Sequence, residues 1–178
     1  GVINIVCGEP EEVATTLSKS TIPSLITMIG STETAKKVIS DSSTSIKKYS
    51  MELGGNAPFI VFEDADIEVA INIGSAIKFG NCGQICVAAN RFFVHENVHK
   101  KFVDGLIKKA RELKIGYNKN LDFEIGPLIS KSSRERVNNL IKSTIDNGGK
   151  LEFGGEIPLM NGNWFEPTII TNDLRIKE

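Results

Sequence analysis

Asn81-Cys82-Gly83-Gln84-Ile85-Cys86 is the stretch of this 178-residue chain whose side chains and spacing suggest covalent chemistry. A thiolate is a strong nucleophile when its pKa is lowered or a base lies near. Gly83 lets the backbone fold sharply and present Cys86. The competing reading is a buried, inert thiol, the commoner fate of a free cysteine. Cys82 and Cys86 could also be metal ligands, but one Cys-x-x-x-Cys pair without a second falls short of a zinc site. Glu52, followed by Leu53-Gly54-Gly55, is a carboxylate at a strand end beside flexible backbone. It can serve as a movable general base; taken alone it is equally a solvated surface charge.

Gly30-Ser31-Thr32 lies between an expected strand and an expected helix. A helix N-terminus offers N–H groups and a positive dipole end to a phosphate. Ser31 can satisfy the same N–H groups as an ordinary cap, and spacing alone favours that reading. Neither G-x-G-x-x-G nor G-x-x-x-x-G-K-[ST] occurs. His95-Glu96-Asn97-Val98-His99 matches H-E-x-x-H, which holds zinc only when both histidines share a helix face. Here the chain reads as a strand running into His95, with Asn97 as the N-cap of the next helix. The two histidines then straddle a junction, no third exists, and no metal is expected.

The elements that must position these residues alternate. Apolar runs predict strands over 2–6, 25–29, 46–53, 59–62, 92–94, 150–153 and 164–171. Helical spacing predicts helices over 11–19, 33–40, 66–78, 98–113 and 132–147, the last closed by Gly148-Gly149. Strands alternating with helices predict an α/β protein with mostly parallel sheets. The expected boundary falls at Gly54-Gly55, where one βαβ sheet ends and another starts. With 40% apolar and 24% charged residues, the composition is that of a soluble globular protein. Lys plus Arg number 21 against 22 Asp plus Glu, so no basic surplus points to nucleic acid or anionic membrane. Three cysteines are too few for a secreted disulfide framework. No apolar run approaches the ~20 residues that span a bilayer. The expectation is a cytoplasmic protein.

Together these pieces resemble the aldehyde dehydrogenase family. Met51-Glu52-Leu53-Gly54-Gly55-Asn56 looks like its glutamate signature, and 79–86 like its cysteine signature F-x-N-x-G-Q-x-C. The separation of 34 residues between Glu52 and Cys86 fits as well. Gly30-Ser31-Thr32-Glu33, Glu63-Asp64-Ala65-Asp66 and Ile125-Gly126-Pro127-Leu128-Ile129 match three further blocks, so the resemblance runs end to end. It implies an aldehyde dehydrogenase-like fold: the end of a Rossmann-type NAD(P)-binding domain over 1–53, then most of an α/β catalytic domain over 54–178. It implies that Cys86 attacks the aldehyde to form a thiohemiacetal, that hydride leaves to NAD or NADP, and that Glu52 activates the water that hydrolyses the thioester. It further implies that the Cys86 N–H is half of an oxyanion hole, that Gly30 and Ser31 meet the cofactor pyrophosphate, and that the Leu53 carbonyl holds the nicotinamide amide. The full-length protein is expected to be a homodimer or homotetramer acting on a small aldehyde.

The stretch 47–62 reads like the succinate-semialdehyde branch. That branch tends to carry an Arg six residues before the nucleophile, to pair with the substrate carboxylate; Gly80 stands there. Glyceraldehyde or lactaldehyde is therefore an alternative substrate. Cys82, four residues before Cys86, raises the idea of a redox lock between the two, against the plain reading that it fills a small loop position. The chain lacks a starting Met and stops at Ile176-Lys177-Glu178, so a piece of a longer enzyme is expected, inactive by itself. A truncated remnant or interaction module is the alternative of another class.

Overall fold

The computed structural model describes residues 1–117 and 123–172. It is α/β and divides into two compact units, Gly1–Gly55 and Asn56–Glu178. The expected end at Ile176-Lys177-Glu178 lies outside the described residues.

In the first unit, α1 (Pro10–Lys19) starts with Pro at its head and Glu11 and Glu12 in its first turn, both suited to the N-terminal end of a helix. β1 (Leu25–Gly30) and β2 (Lys48–Leu53) pair in parallel from Leu25 opposite Lys48 to Gly30 opposite Leu53. α2 (Thr32–Asp41) is the crossover between them. Its buried face carries Ala35 and Val38. Ser42 is also buried, its hydroxyl bonded to the Ile39 carbonyl at 3.0 Å and to the Tyr49 hydroxyl at 2.7 Å. The strand expected over 2–6 does not form. Val2, Ile3, Ile5 and Val6 are exposed and join no ladder, because among the described residues β1 pairs with β2 alone. An apolar run becomes a strand only when a neighbour takes its backbone groups.

The second unit repeats the strand-helix-strand plan with a larger core. β3 (Ala57–Val61) and β4 (Ala89–Val94) pair in parallel, with a register shift between Ala57 and Pro58. Pro58 has no N–H to give to a ladder, which suits this irregular spot. α3 (Ile67–Phe79) is capped by Asp66, whose Oδ1 accepts the Val69 N–H at 3.1 Å. α4 (Glu96–Glu112) packs against α3. Gly105 lets them approach: a Cβ there would lie 2.2 Å from Ile71 Cδ1. Phe59, Phe92 and Phe102 form an aromatic cluster beneath, with ring centroids 5.2 to 6.2 Å apart. α5 (Lys131–Asp146) follows, capped by Ser130. β5 (Lys150–Phe153) and β6 (Ile169–Thr171) pair antiparallel.

Two further expectations need correction here. α4 starts at Glu96 with His95, not Asn97, as its cap. The strand expected over 164–171 shrinks to Ile169–Thr171. Trp164 and Phe165 are apolar because they are buried, while the Asn163 carbonyl accepts the Leu128 N–H and Pro167 has no N–H for a ladder. The third sheet is antiparallel, so parallel pairing holds in two of the three sheets of the described residues.

Candidate active site

In the first unit the parallel register gathers four of the five residues singled out in the sequence. Gly30 stands opposite Leu53, and Ile29 opposite Glu52, at the carboxyl ends of β1 and β2. Ser31 follows at the head of α2. In open parallel sheets, ligands lie beyond this end of the strands. Ser31 Oγ accepts the Thr34 N–H at 3.1 Å and is 2.9 Å from the Thr34 hydroxyl, so it does cap the helix. The Thr32 and Glu33 N–H groups lie ahead of the first intrahelical bond, which runs from Ala35 N–H to the Ser31 carbonyl. That leaves two donors at a positive dipole end, beside a Gly30 whose missing side chain keeps the approach open. These residues fit a phosphate-bearing cofactor. Glu52 is exposed.

In the second unit the loop after α3 is built for one purpose, to turn the chain within a few residues. Gly80 caps the helix C-terminus at φ −53°, a conformation open to any residue, and a Cβ there would meet only Ile85 Cδ1 at 4.0 Å. Asn81, Cys82 and Gly83 then run left-handed, at φ 49°, 59° and 70°. Asn tolerates this region; Gly83 is required twice over, because a Cβ would also lie 3.0 Å from the Lys78 carbonyl. The Gln84 N–H closes the turn on the Asn81 carbonyl at 3.0 Å. A second turn follows, closed by the Ala88 N–H on the Ile85 carbonyl at 3.0 Å. Cys86 sits in this second turn, exposed, and the buried Ala88 and Ala89 anchor its far side.

The two cysteines of the motif therefore differ in kind. Cys82 is half-buried, packed against the groups of Phe79 and Leu128, and donates its thiol to the Gly126 carbonyl at 3.0 Å. Burial pushes its thiol pKa up, which keeps it protonated. Both thiols are free, and that of Cys82 is engaged by Gly126, so the plain reading of Cys82 as a loop-filling residue accounts for its place. Lys78, in the last turn of α3, is largely desolvated, and burial lowers its ammonium pKa. A groove of about 710 Å³ in this unit is lined by Lys78, Cys82, Gln84 and apolar side chains of α5 and β6; Cys86 is not part of its wall.

His95 lies outside α4 and His99 inside it. The His95 Nδ1 accepts the Asn97 N–H at 3.3 Å, and Glu63 Oε2 accepts from Asn97 Nδ2 at 2.8 Å. The helix-face geometry that H-E-x-x-H needs is not made. Among the described residues no group of three or more His, Cys, Asp or Glu side chains could hold a metal ion. What the residue pattern alone did not reveal is the part played by Gln84. Its side chain joins Asn81 to Ile129, a bond across 45 positions that no local spacing signals.

Comparison with known proteins identifies the family. The aldehyde dehydrogenase family model matches residues 1–176. The chain is 41% identical over 172 residues to a mitochondrial succinate-semialdehyde dehydrogenase of Oryza sativa subsp. japonica, covering 97% of this chain and 33% of that one. The crystal structure of succinate-semialdehyde dehydrogenase from Burkholderia pseudomallei superposes with a TM-score of 0.89 at 37% identity, over 93% of this chain and 34% of that one. That of lactaldehyde dehydrogenase from Escherichia coli gives 0.88 at 30% identity, over 93% and 35%. Matched proteins include one named for NADP(+) and one crystallised with NAD+. The chain thus spans about a third of the length of the relatives it matches. With both signature stretches in place and the match running over nearly every residue, this chain belongs to the aldehyde dehydrogenase family.

Proposed function

We propose that this chain carries the nucleophile and the general base of an NAD(P)-dependent oxidation of a small aldehyde to a carboxylic acid. The observation that carries the reading is the contrast between the two cysteines of one loop. Cys82 is held by Gly126 and desolvated; Cys86 is exposed on a tight turn. In this reading Cys86 Sγ adds to the aldehyde carbon, and the Cys86 N–H supports the oxygen as it gains charge. A bound nicotinamide cofactor supplies the hydride acceptor. Glu52 takes a proton from the water that cleaves the Cys86 thioester, releasing the acid and the free thiol. Gly30, Ser31 and the N–H groups of α2 hold the cofactor phosphates, and the Leu53 carbonyl orients the amide of the ring. Residues 1–53 then form the C-terminal part of the cofactor domain and 54–178 an incomplete catalytic domain.

The assay is aldehyde-dependent NAD(P)H formation by the native full-length protein. Cys86→Ser is expected to abolish it, with Glu52→Gln blocking thioester hydrolysis. Full activity in Cys86→Ser would end the proposal of Cys86 as nucleophile, and no activity in the native full-length protein would leave the remnant or interaction module. The 178-residue chain alone is expected to be inactive, since it spans only about a third of the length of the relatives it matches.

Succinate semialdehyde is the proposed substrate, on the likeness to that branch. Gly80 favours a second reading, a neutral aldehyde such as glyceraldehyde or lactaldehyde, because no cation occupies the position and its backbone does not require glycine. Restoring the cation decides between them. If the substrate is neutral, Gly80→Arg is expected to shift kcat/KM toward succinate semialdehyde by about 10–100-fold, the scale of a charge-assisted hydrogen bond. No helix of the described residues is long and apolar enough to cross a membrane. A cytoplasmic location, on composition, and a homodimer or homotetramer, on the family's habit, complete the proposal.

A further inference from the structure

We infer that Gln84 is a positioning residue whose side-chain amide braces the Cys86 turn against the backbone of Ile129. The inference rests on the reading of Cys86 as nucleophile. Its basis is a closed set of hydrogen bonds around one side chain. Gln84 Oε1 accepts the Ile129 N–H at 2.9 Å, and Gln84 Nε2 donates to the Asn81 carbonyl at 3.2 Å. Asn81 returns a bond from its Nδ2 to the Gln84 carbonyl at 3.1 Å. The Gln84 N–H reaches the same Asn81 carbonyl at 3.0 Å. Asn81 and Gln84 are therefore clasped in both directions, and the clasp is tied to a segment 45 positions away.

The need for a brace follows from the backbone. Three consecutive left-handed residues, two of them not glycine, are a conformation that persists only when its surroundings hold it. Two struts do so. The Cys82 thiol reaches the Gly126 carbonyl, and the Gln84 amide reaches Ile129, so both ends of the segment 126–129 grip the loop. Ser130 immediately follows as the cap of α5, which gives the segment a rigid base. Gln84 is two residues from Cys86, so a shift at its Cα redirects the thiol. An amide is the one side chain of this length that presents an acceptor to Ile129 and a donor to Asn81 together.

The test compares Gln84→Met, which keeps the length and loses both bonds, with Gln84→Glu, which keeps an acceptor for Ile129 and loses the donor. Both are made in the native full-length protein, with Cys86→Ser alongside. Gln84→Met is expected to lower kcat by about 10–100-fold, the scale of a misplaced reacting group, with the cofactor KM and the melting temperature little changed. Gln84→Glu is expected to fall between Gln84→Met and the parent. Hydrogen exchange over 126–130 is expected to speed up in Gln84→Met, a readout that needs no turnover. The inference is overturned if Gln84→Met leaves kcat and exchange at parental values, or if the two variants lose activity equally and in step with their melting temperatures. Turnover surviving in Cys86→Ser would instead overturn the nucleophile reading, while the exchange measurement would still decide the brace.

Discussion

The two units follow one strand-helix-strand plan and bury very different amounts of it. In the first, the buried apolar side chains are Ala35 and Val38, with Ser18, Ser42 and Lys47 as buried polar neighbours. Val2, Ile3, Ile5, Ile22, Leu25 and Ile29 are exposed. In the second, Val61, Ile67, Ile71, Phe102 and Leu106 form one cluster, and two further clusters gather around Phe79 and Leu128. A two-stranded sheet with one thinly buried face is marginal in water, whereas three packed clusters are a core. The same local plan thus places residues well in both units, but only the second supplies the burial that holds a strained loop in place.

The sharpest way to break the contrast is a matched pair of truncations. Phe102 is the most buried large side chain, touching both Phe59 and Phe92. Phe102→Ala is expected to cost about 3–5 kcal/mol in urea unfolding. Val38→Ala removes two methyl groups from the thin core and is expected to cost about 1.5 kcal/mol. Equal costs, with six carbons removed in one case and two in the other, would mean that the first unit's core holds each buried carbon more tightly, and the contrast would fail. Next come the caps, where the units should agree. Ser31 and Asp66 each accept an N3 amide at 3.1 Å. Ser31→Ala and Asp66→Ala are each expected to cost about 1 kcal/mol, and unequal costs would show that the surrounding core, not the cap bond, sets the value.

The smallest effect concerns Lys78, whose burial in the second unit opposes its charge. Because its folded pKa lies below the ordinary 10.5, the folded state binds its proton less tightly than the unfolded chain does. The resulting penalty is full below the folded value and fades as pH rises through it toward 10.5. Lys78→Met is expected to stabilise the protein at pH 7, by an amount that shrinks as pH approaches that range. A gain independent of pH would mean that packing, not desolvation, is responsible.

Periodicity made most of the fold readable. α3 and α4 carry their apolar residues at helical spacing, and β3 is a solid apolar run, so each was readable from its own stretch. The failures share one cause. Residues 2–6 have strand composition but no neighbour to pair with, and 164–165 are apolar for the core, not for a ladder. His95 caps α4 because its Nδ1 can accept an N–H, a use of histidine that no spacing rule announces.

By itself the sequence determined the family, through its paired signatures, and the order of helices and strands, because hydrophobic spacing and capping are local properties of the chain. It also singled out Cys86 over Cys82 as the nucleophile, though only through the family resemblance and not through any physical difference between the two thiols. Only the tertiary structure separated an exposed Cys86 from a Cys82 held by Gly126. It alone set Gly30 opposite Leu53 across two strands and bound Gln84 to Ile129. Those relations join residues far apart in the chain, and burial and hydrogen-bond partners at such distances arise only when the elements pack.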